Sequence, residues 1–260
     1  MSRLAGRAPR LFWQTECRPA PFQLNSDIRL PPPLTSSLRI LVTFAIPDES
    51  RDFRRALGRM DREDVVVEHI GVGPAMAAER IGRLLAGEKP QLVICTGFAG
   101  GLASQLATAE LVVADNLSTP ELVAGVRQRA FPGWPLAFGA VISRSMPVES
   151  VADKAALARE TGAFAVDMES EAVAAACRAA GVPVLVVRVI SDPADAPLPV
   201  PFADWFDIER QRPRVCGLLK YLALHPQRIG LFARFVGSLA PARRAMAEFL
   251  IHFLEVKESH

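Results

Sequence analysis

A chain of 260 residues suits one large domain or two small ones, and with half of it hydrophobic and 22% charged it can bury a sizeable core. Its net charge of +2 is too small to argue for nucleic acid. No apolar run reaches the ~20 residues that span a bilayer, and the basic N-terminus lacks the apolar stretch of a secretory signal, so a cytoplasmic protein is expected.

Residues 1–37 carry scattered arginines, Pro31-Pro32-Pro33 and Thr35-Ser36-Ser37 without a period, and read as a poorly ordered extension. From Leu38 the pattern sharpens. Strands are expected over 38–44, 65–70 and 92–95, and helices over 48–59 and 75–85. Gly71-Val72-Gly73-Pro74 reads as a turn, and so does Thr96-Gly97-Phe98-Ala99-Gly100-Gly101 after its strand. Further strands are expected over 111–114, 137–142, 163–168 and 184–190, with an alanine-rich helix over 169–180. Strands alternating with helices indicate an α/β domain over 38–195 with a mostly parallel sheet. Residues 196–260 read as a helical extension of that domain. They open on prolines with Phe202, Trp205 and Phe206, and continue as helices over 215–224, 229–239 and 242–254. Basic and apolar residues interleave there, which makes residues 226–254 a candidate for peripheral membrane contact, against the plainer reading of helices packed on the sheet.

Four cysteines, Cys17, Cys95, Cys177 and Cys216, show no CxxC spacing, so neither a metal nor a redox pair is expected. Cys95 and Cys177 read as core residues. The chain has only four lysines, Lys89, Lys154, Lys220 and Lys257; its other side-chain cations are arginine. His69, His225, His252 and His260 fit no constellation.

Two apolar runs end in acid: Val166-Asp167-Met168-Glu169-Ser170 and Val186-Val187-Arg188-Val189-Ile190-Ser191-Asp192. Read as one βαβ unit, they bring Glu169 and Asp192 to one crevice at the carboxyl ends of parallel strands, where open α/β sheets bind ligands. Paired carboxylates there suit acid/base or sugar chemistry. Simpler roles compete. Asp192 could cap the turn after its strand, Glu169 and Glu49 could be first-turn glutamates favoured by the helix dipole, and Met168 could be core. The glycine turn matches neither a Walker loop nor GxGxxG, so ATP and NAD fail on spacing.

Four blocks stand in order: Ala45-Ile46-Pro47-Asp48-Glu49, Gly71-Val72-Gly73-Pro74-Ala75, Thr96 to Leu102, and Val166-Asp167-Met168-Glu169 with Ile190-Ser191-Asp192. Together they resemble the nucleoside phosphorylase/nucleosidase superfamily over residues 38–195, with the methylthioadenosine/S-adenosylhomocysteine nucleosidases as the nearest well-known branch. The resemblance implies a three-layer α/β/α sandwich around a mixed, mostly parallel sheet, a homo-oligomer, and cleavage of the bond between ribose C1′ and a purine nitrogen. By that resemblance Asp192 is the acid at purine N7 and Glu49 orients or deprotonates the nucleophile. Glu169 grips the ribose hydroxyls and Met168 packs on the sugar; Gly97, Phe98 and Ser191 join the substrate site. No metal or organic cofactor is implied, and phosphate stays open as a co-substrate.

The chain also departs from the pattern. Cys95 and Phe98 stand where phosphorylases place arginine and serine for phosphate, and Phe98 makes that sugar wall more apolar. Pro147 stands at an aromatic position, and Arg144 and Ser145 are candidate ligands for phosphate or ribose. The tail resembles the hopanoid-associated phosphorylases, which points to a lipid-linked adenine nucleoside such as adenosylhopane. A methylthioadenosine/S-adenosylhomocysteine hydrolase and a nucleoside-binding protein without catalysis are the alternatives.

Overall fold

The protein is described as a computed structural model over residues 39–60, 62–129 and 136–255; the extension expected over 1–37 lies outside these. Strands β1 (Ile40–Phe44), β2 (Val65–His69) and β3 (Leu92–Gly101) alternate with helices α1 (Pro47–Leu57) and α2 (Pro74–Glu88). Then follow β4 (Leu111–Ala114), α3 (Pro120–Gln128), β5 (Leu136–Gly139), β6 (Val141–Ser143), α4 (Val151–Thr161), β7 (Ala165–Asp167), α5 (Ser170–Ala180) and β8 (Val184–Asp192). The tail comprises α6 (Phe202–Trp205), β9 (Phe206–Asp207), β10 (Arg212–Pro213), α7 (Val215–Leu224), a 3₁₀ turn at Pro226–Arg228 and α8 (Ile229–Glu255).

Local sequence explains the boundaries. Helices α1, α2 and α3 each start on a proline, whose fixed φ suits the first turn. Ser150 caps α4 by accepting from Asp153 N–H, and Gly162 closes that helix in the left-handed conformation.

The main sheet runs β2-β1-β3-β8-β4-β5, with β7 joined to β3 and β6 joined to β7. Five pairings are parallel, while β3/β7 and β4/β8 are antiparallel. One face buries Phe53 of α1, Val126 of α3, and Met246 and Phe249 of α8. The other buries Ile81 of α2 and Val173 and Cys177 of α5. Because β8 is buried along all nine residues, both its faces need apolar side chains, which is why it reads as a continuous hydrophobic run. The result is the three-layer, mixed, mostly parallel arrangement expected.

Several expectations need correction. The segment Thr96–Gly101 is not a turn but the second half of β3, paired with β8 through Gly100. Pairing with β8 along this stretch carries the extension, and the glycines serve close approach instead of reversal. The run over 137–142 divides into β5 and β6. The two carboxylate-bearing strands do not form a simple βαβ unit. They flank β3 on opposite sides, β8 parallel to it and β7 antiparallel. The two helices expected around Pro241 are one 27-residue helix. Proline removes one helical N–H there, but the turns beyond it are held by burial of Ala242, Met246, Phe249 and Leu250.

Candidate active site

The C-terminal half of β3 gathers the acidic side chains. Glu49, in the first turn of α1, folds back so that Oε2 accepts from the N–H groups of Ala45 (2.8 Å) and Ile46 (3.2 Å), the return half of a capping arrangement. Its Oε1 accepts from Phe98 N–H at 2.9 Å, tying α1 to β3. Glu169, at the N-terminus of α5, accepts from Gly73 N–H at 2.8 Å through Oε1. Both carboxylates are buried, at 5% exposure.

Between them lies Arg188, opposite Gly97 in the β3/β8 register and 1% exposed. Its Nε meets Asp167 Oδ2 at 2.6 Å and donates to Ser170 Oγ at 2.9 Å. Asp167 also accepts from Ser143 Oγ and from Ser170 N–H. Gly97 explains itself here. At φ +148° a Cβ on it would lie 2.6 Å from Arg188 Nη1 and 2.9 Å from Glu49 Oε1.

Three carboxylates therefore share one guanidinium. Burial pushes Glu169 up to about 8, with Asp167 adding to it and Arg188 and the Gly73 N–H opposing. Burial raises Glu49 too, against its backbone hydrogen bond from Phe98 and the charge of Arg188. Arg188 stays firmly charged despite its burial, because Asp167, Glu169 and Glu49 outweigh the loss of water.

Asp192 sits further along. The β3/β8 register shifts between Ala99 and Gly100, so that Ser191 is the extra residue and Asp192 faces Gly100. Three strand steps separate Gly97 from Gly100, about 10 Å. Asp192 Oδ2 pairs with Lys154 Nζ at 2.5 Å, and Oδ1 accepts from Ser191 Oγ, which also donates to Ala99 O at 3.2 Å. Lys154 is fully buried and donates to the carbonyls of Pro193 (2.9 Å) and Ala196 (2.8 Å) as well. Burial raises the Asp192 carboxyl; Lys154 and Ser191 pull it back without reversing the shift.

Met168 is buried in a small apolar cluster with Ala45, Val72, Phe202 and Phe206, flanked by Trp205 and Ile208. The tail is held there by Gln211, which accepts from Val72 N–H at 2.7 Å and donates to Val72 O at 2.9 Å. The ring of Phe98 goes elsewhere. It packs toward the α1/α8 side of the sheet, so the apolar wall beside Met168 comes from Phe202 and Phe206, and Phe98 brings Glu49 its backbone N–H. Arg144 is exposed, with Nη1 on Ser143 O. Burial pushes the Cys95 thiol up to about 11 and the Cys177 thiol up to about 12, as suits core residues. A cleft of about 420 Å³ lies between α1 and α8, lined by Asp52, Arg55, Arg244 and Glu248 among others. It is a charged surface groove that holds none of the expected site residues.

The sequence singles out the three carboxylates but not Lys154, Asp167 or Gln211 as site residues. A signal existed for Lys154. It and Leu157 share the buried face of α4, in a chain that otherwise writes most of its cations as arginine.

A three-layer α/β fold places a cluster of buried carboxylates beside the C-terminal half of its central strand, where open α/β sheets hold their active sites. The chain belongs to the phosphorylase superfamily, whose family model matches residues 33–119 and 116–220, and it is an enzyme of the nucleoside phosphorylase and nucleosidase kind. The 5′-methylthioadenosine/S-adenosylhomocysteine nucleosidase of Actinobacillus succinogenes is 28% identical over 178 residues, covering 58% of this chain and 77% of that protein. The same-named protein of Haemophilus influenzae is also 28% identical over 178 residues, covering 58% and 78%. Among solved structures, futalosine hydrolase of Helicobacter pylori matches with a TM-score of 0.58 at 19% identity, over 84% of this chain and 98% of its own. The Neisseria meningitidis nucleosidase in complex with methylthio-immucillin-A matches with a TM-score of 0.58 at 19% identity, over 82% and 98%. These structures share the fold.

No helix among the described residues is long and apolar enough to cross a membrane.

Proposed function

We propose that this enzyme hydrolyses the N-glycosidic bond of an adenine nucleoside bearing an apolar 5′ substituent, releasing adenine. One observation carries the choice of water over phosphate. Glu49, Asp167 and Glu169 surround a single Arg188, whose charge is already spent on Asp167. A phosphate dianion entering there would find the guanidinium already paired with Asp167, whereas water needs only an acceptor for its proton.

In this reading Asp192 donates its proton to purine N7 as the C1′–N9 bond breaks, so the base leaves neutral. The ribose gains oxocarbenium character, which the Glu49 carboxylate stabilises at close range. Glu49 accepts a proton from the attacking water, and the resulting hydroxyl bonds to C1′. Glu169 holds the ribose hydroxyls with the oxygen that Gly73 does not use. The elevation of Asp192 by burial favours a proton on it nearer neutrality. Names of relatives agree with this class, and the Met168, Phe202 and Phe206 cluster suits a greasy 5′ group. That same cluster favours a second reading, phosphorolysis of a lipid-linked nucleoside such as adenosylhopane.

The test is adenine release from methylthioadenosine, S-adenosylhomocysteine and adenosylhopane, each with and without phosphate. Release without phosphate is expected, with Asp192→Asn lowering kcat by ~10²–10⁴-fold. Release that requires phosphate and yields a sugar 1-phosphate would overturn hydrolysis in favour of phosphorolysis. Ligand binding without release on every substrate would leave a binding protein.

A further inference from the structure

Helix α7, the 3₁₀ turn after it and the first half of α8 contain no buried residue; burial in α8 begins at Ala242. Yet the segment is strongly apolar. Val215, Leu219, Leu224, Ile229 and Val236 are 60%, 61%, 66%, 50% and 48% exposed, five of the seven exposed large hydrophobic side chains among the described residues. Leu231, Phe232 and Phe235 are only half-buried beside them. An apolar surface of this size on helices that cover no core calls for a partner.

Charge identifies the partner. From Arg210 to Ala247 the chain has no aspartate or glutamate. Along 215–241 the cations are Lys220, Arg228 and Arg234, and no carboxylate of the described residues pairs with them. Apolar side chains interleaved with unneutralised cations match an anionic lipid surface, where leucine and valine enter the acyl boundary while lysine and arginine reach the headgroups. A second copy of the chain fits worse. A two-fold contact through this face would set the same cations against one another with no acid to separate them. We infer that residues 215–241 dock the protein onto the surface of an anionic bilayer.

Docking would also place the substrate site near that surface. Helix α7 packs on α6, and α6 carries Phe202 of the cluster around Met168. The inference stands on exposure and charge, independently of the reaction proposed above.

Co-sedimentation of the full chain with phosphatidylcholine vesicles, with and without phosphatidylglycerol, tests it. Binding is expected only with phosphatidylglycerol, and raised salt should weaken it. The triple variant Lys220→Gln, Arg228→Gln, Arg234→Gln should lower the partition on the order of a hundredfold. Leu219→Asp with Val236→Asp should abolish binding while thermal unfolding stays unchanged, since neither side chain is buried. Absence of binding, or equal binding to both vesicles, would overturn the inference. So would concentration-dependent self-association, measured by light scattering, that the Leu219→Asp and Val236→Asp pair removes; it would assign the face to a second copy.

Discussion

Asp192 meets its buried cation at 2.5 Å, and Lys154 has no exposed side-chain surface to relieve the pairing. The ammonium also grips Pro193 O and Ala196 O, so it aims the acid as well as lowering its proton affinity. Lys154→Met should leave burial alone acting on Asp192, and the carboxyl would keep its proton to higher pH. The alkaline limb of the kcat profile should then move upward in pH while kcat falls, and the fold should lose about 3 kcal/mol. An unshifted limb would show that Lys154 serves stability only. Lys154 was legible only as one of four lysines; neither the helix that carries it nor its partners could be read. Its acceptors lie 38 to 42 positions along the chain, a distance no local pattern spans. Glu49 was legible only through motif resemblance, since first-turn glutamates are common for reasons of helix electrostatics alone; Glu169 was legible also as the acid that ends an apolar run.

At the level of elements, β3 sets the spacing of the site. Gly97 admits the Arg188 guanidinium and Glu49, while the extra residue on β8 carries Asp192 into register with Gly100. The sequence showed the glycines and suggested a loop, because periodicity cannot tell a strand crossed closely by side chains from a turn. The tail hairpin depends on its own fixings. Gln211 occupies both polar groups of Val72, and Arg210 and Arg214 converge on Asp207. Gln211→Ala should free both Val72 groups, at about 1–3 kcal/mol locally. Amide exchange across residues 206–213 should accelerate, and KM should rise more than kcat falls, because the cluster over Met168 would loosen. Unchanged exchange would mean that Phe202 and Phe206 anchor the hairpin without help.

Across the whole molecule, the alternation of strands and helices made the layered class legible, whereas strand direction was not. Connection length alone does not reveal that β7 enters the sheet antiparallel to β3, and reading it as parallel to β8 produced the mistaken βαβ unit. The acidic cluster has a global consequence. Glu169, Glu49 and Asp192 all hold protons more tightly in the folded state than the unfolded chain does. Where the native state binds more protons, stability falls as pH rises. For Glu169 that window runs from its ordinary 4.5 to about 8. Thermal midpoints of the free enzyme should therefore decline across that range. Glu169→Gln should flatten the decline and gain up to a few kcal/mol at the alkaline end, at the expense of activity. A midpoint that is flat in the parent enzyme would contradict the burial account. Helix α8 works at still longer range: unbroken at Pro241, it extends about 40 Å, its rear half clamped beneath the sheet by Met246 and Phe249 and its front half outside. A stiff rod gripped at one end cannot swivel, so whatever the free end leans against also dictates which way the mouth of the enzyme looks.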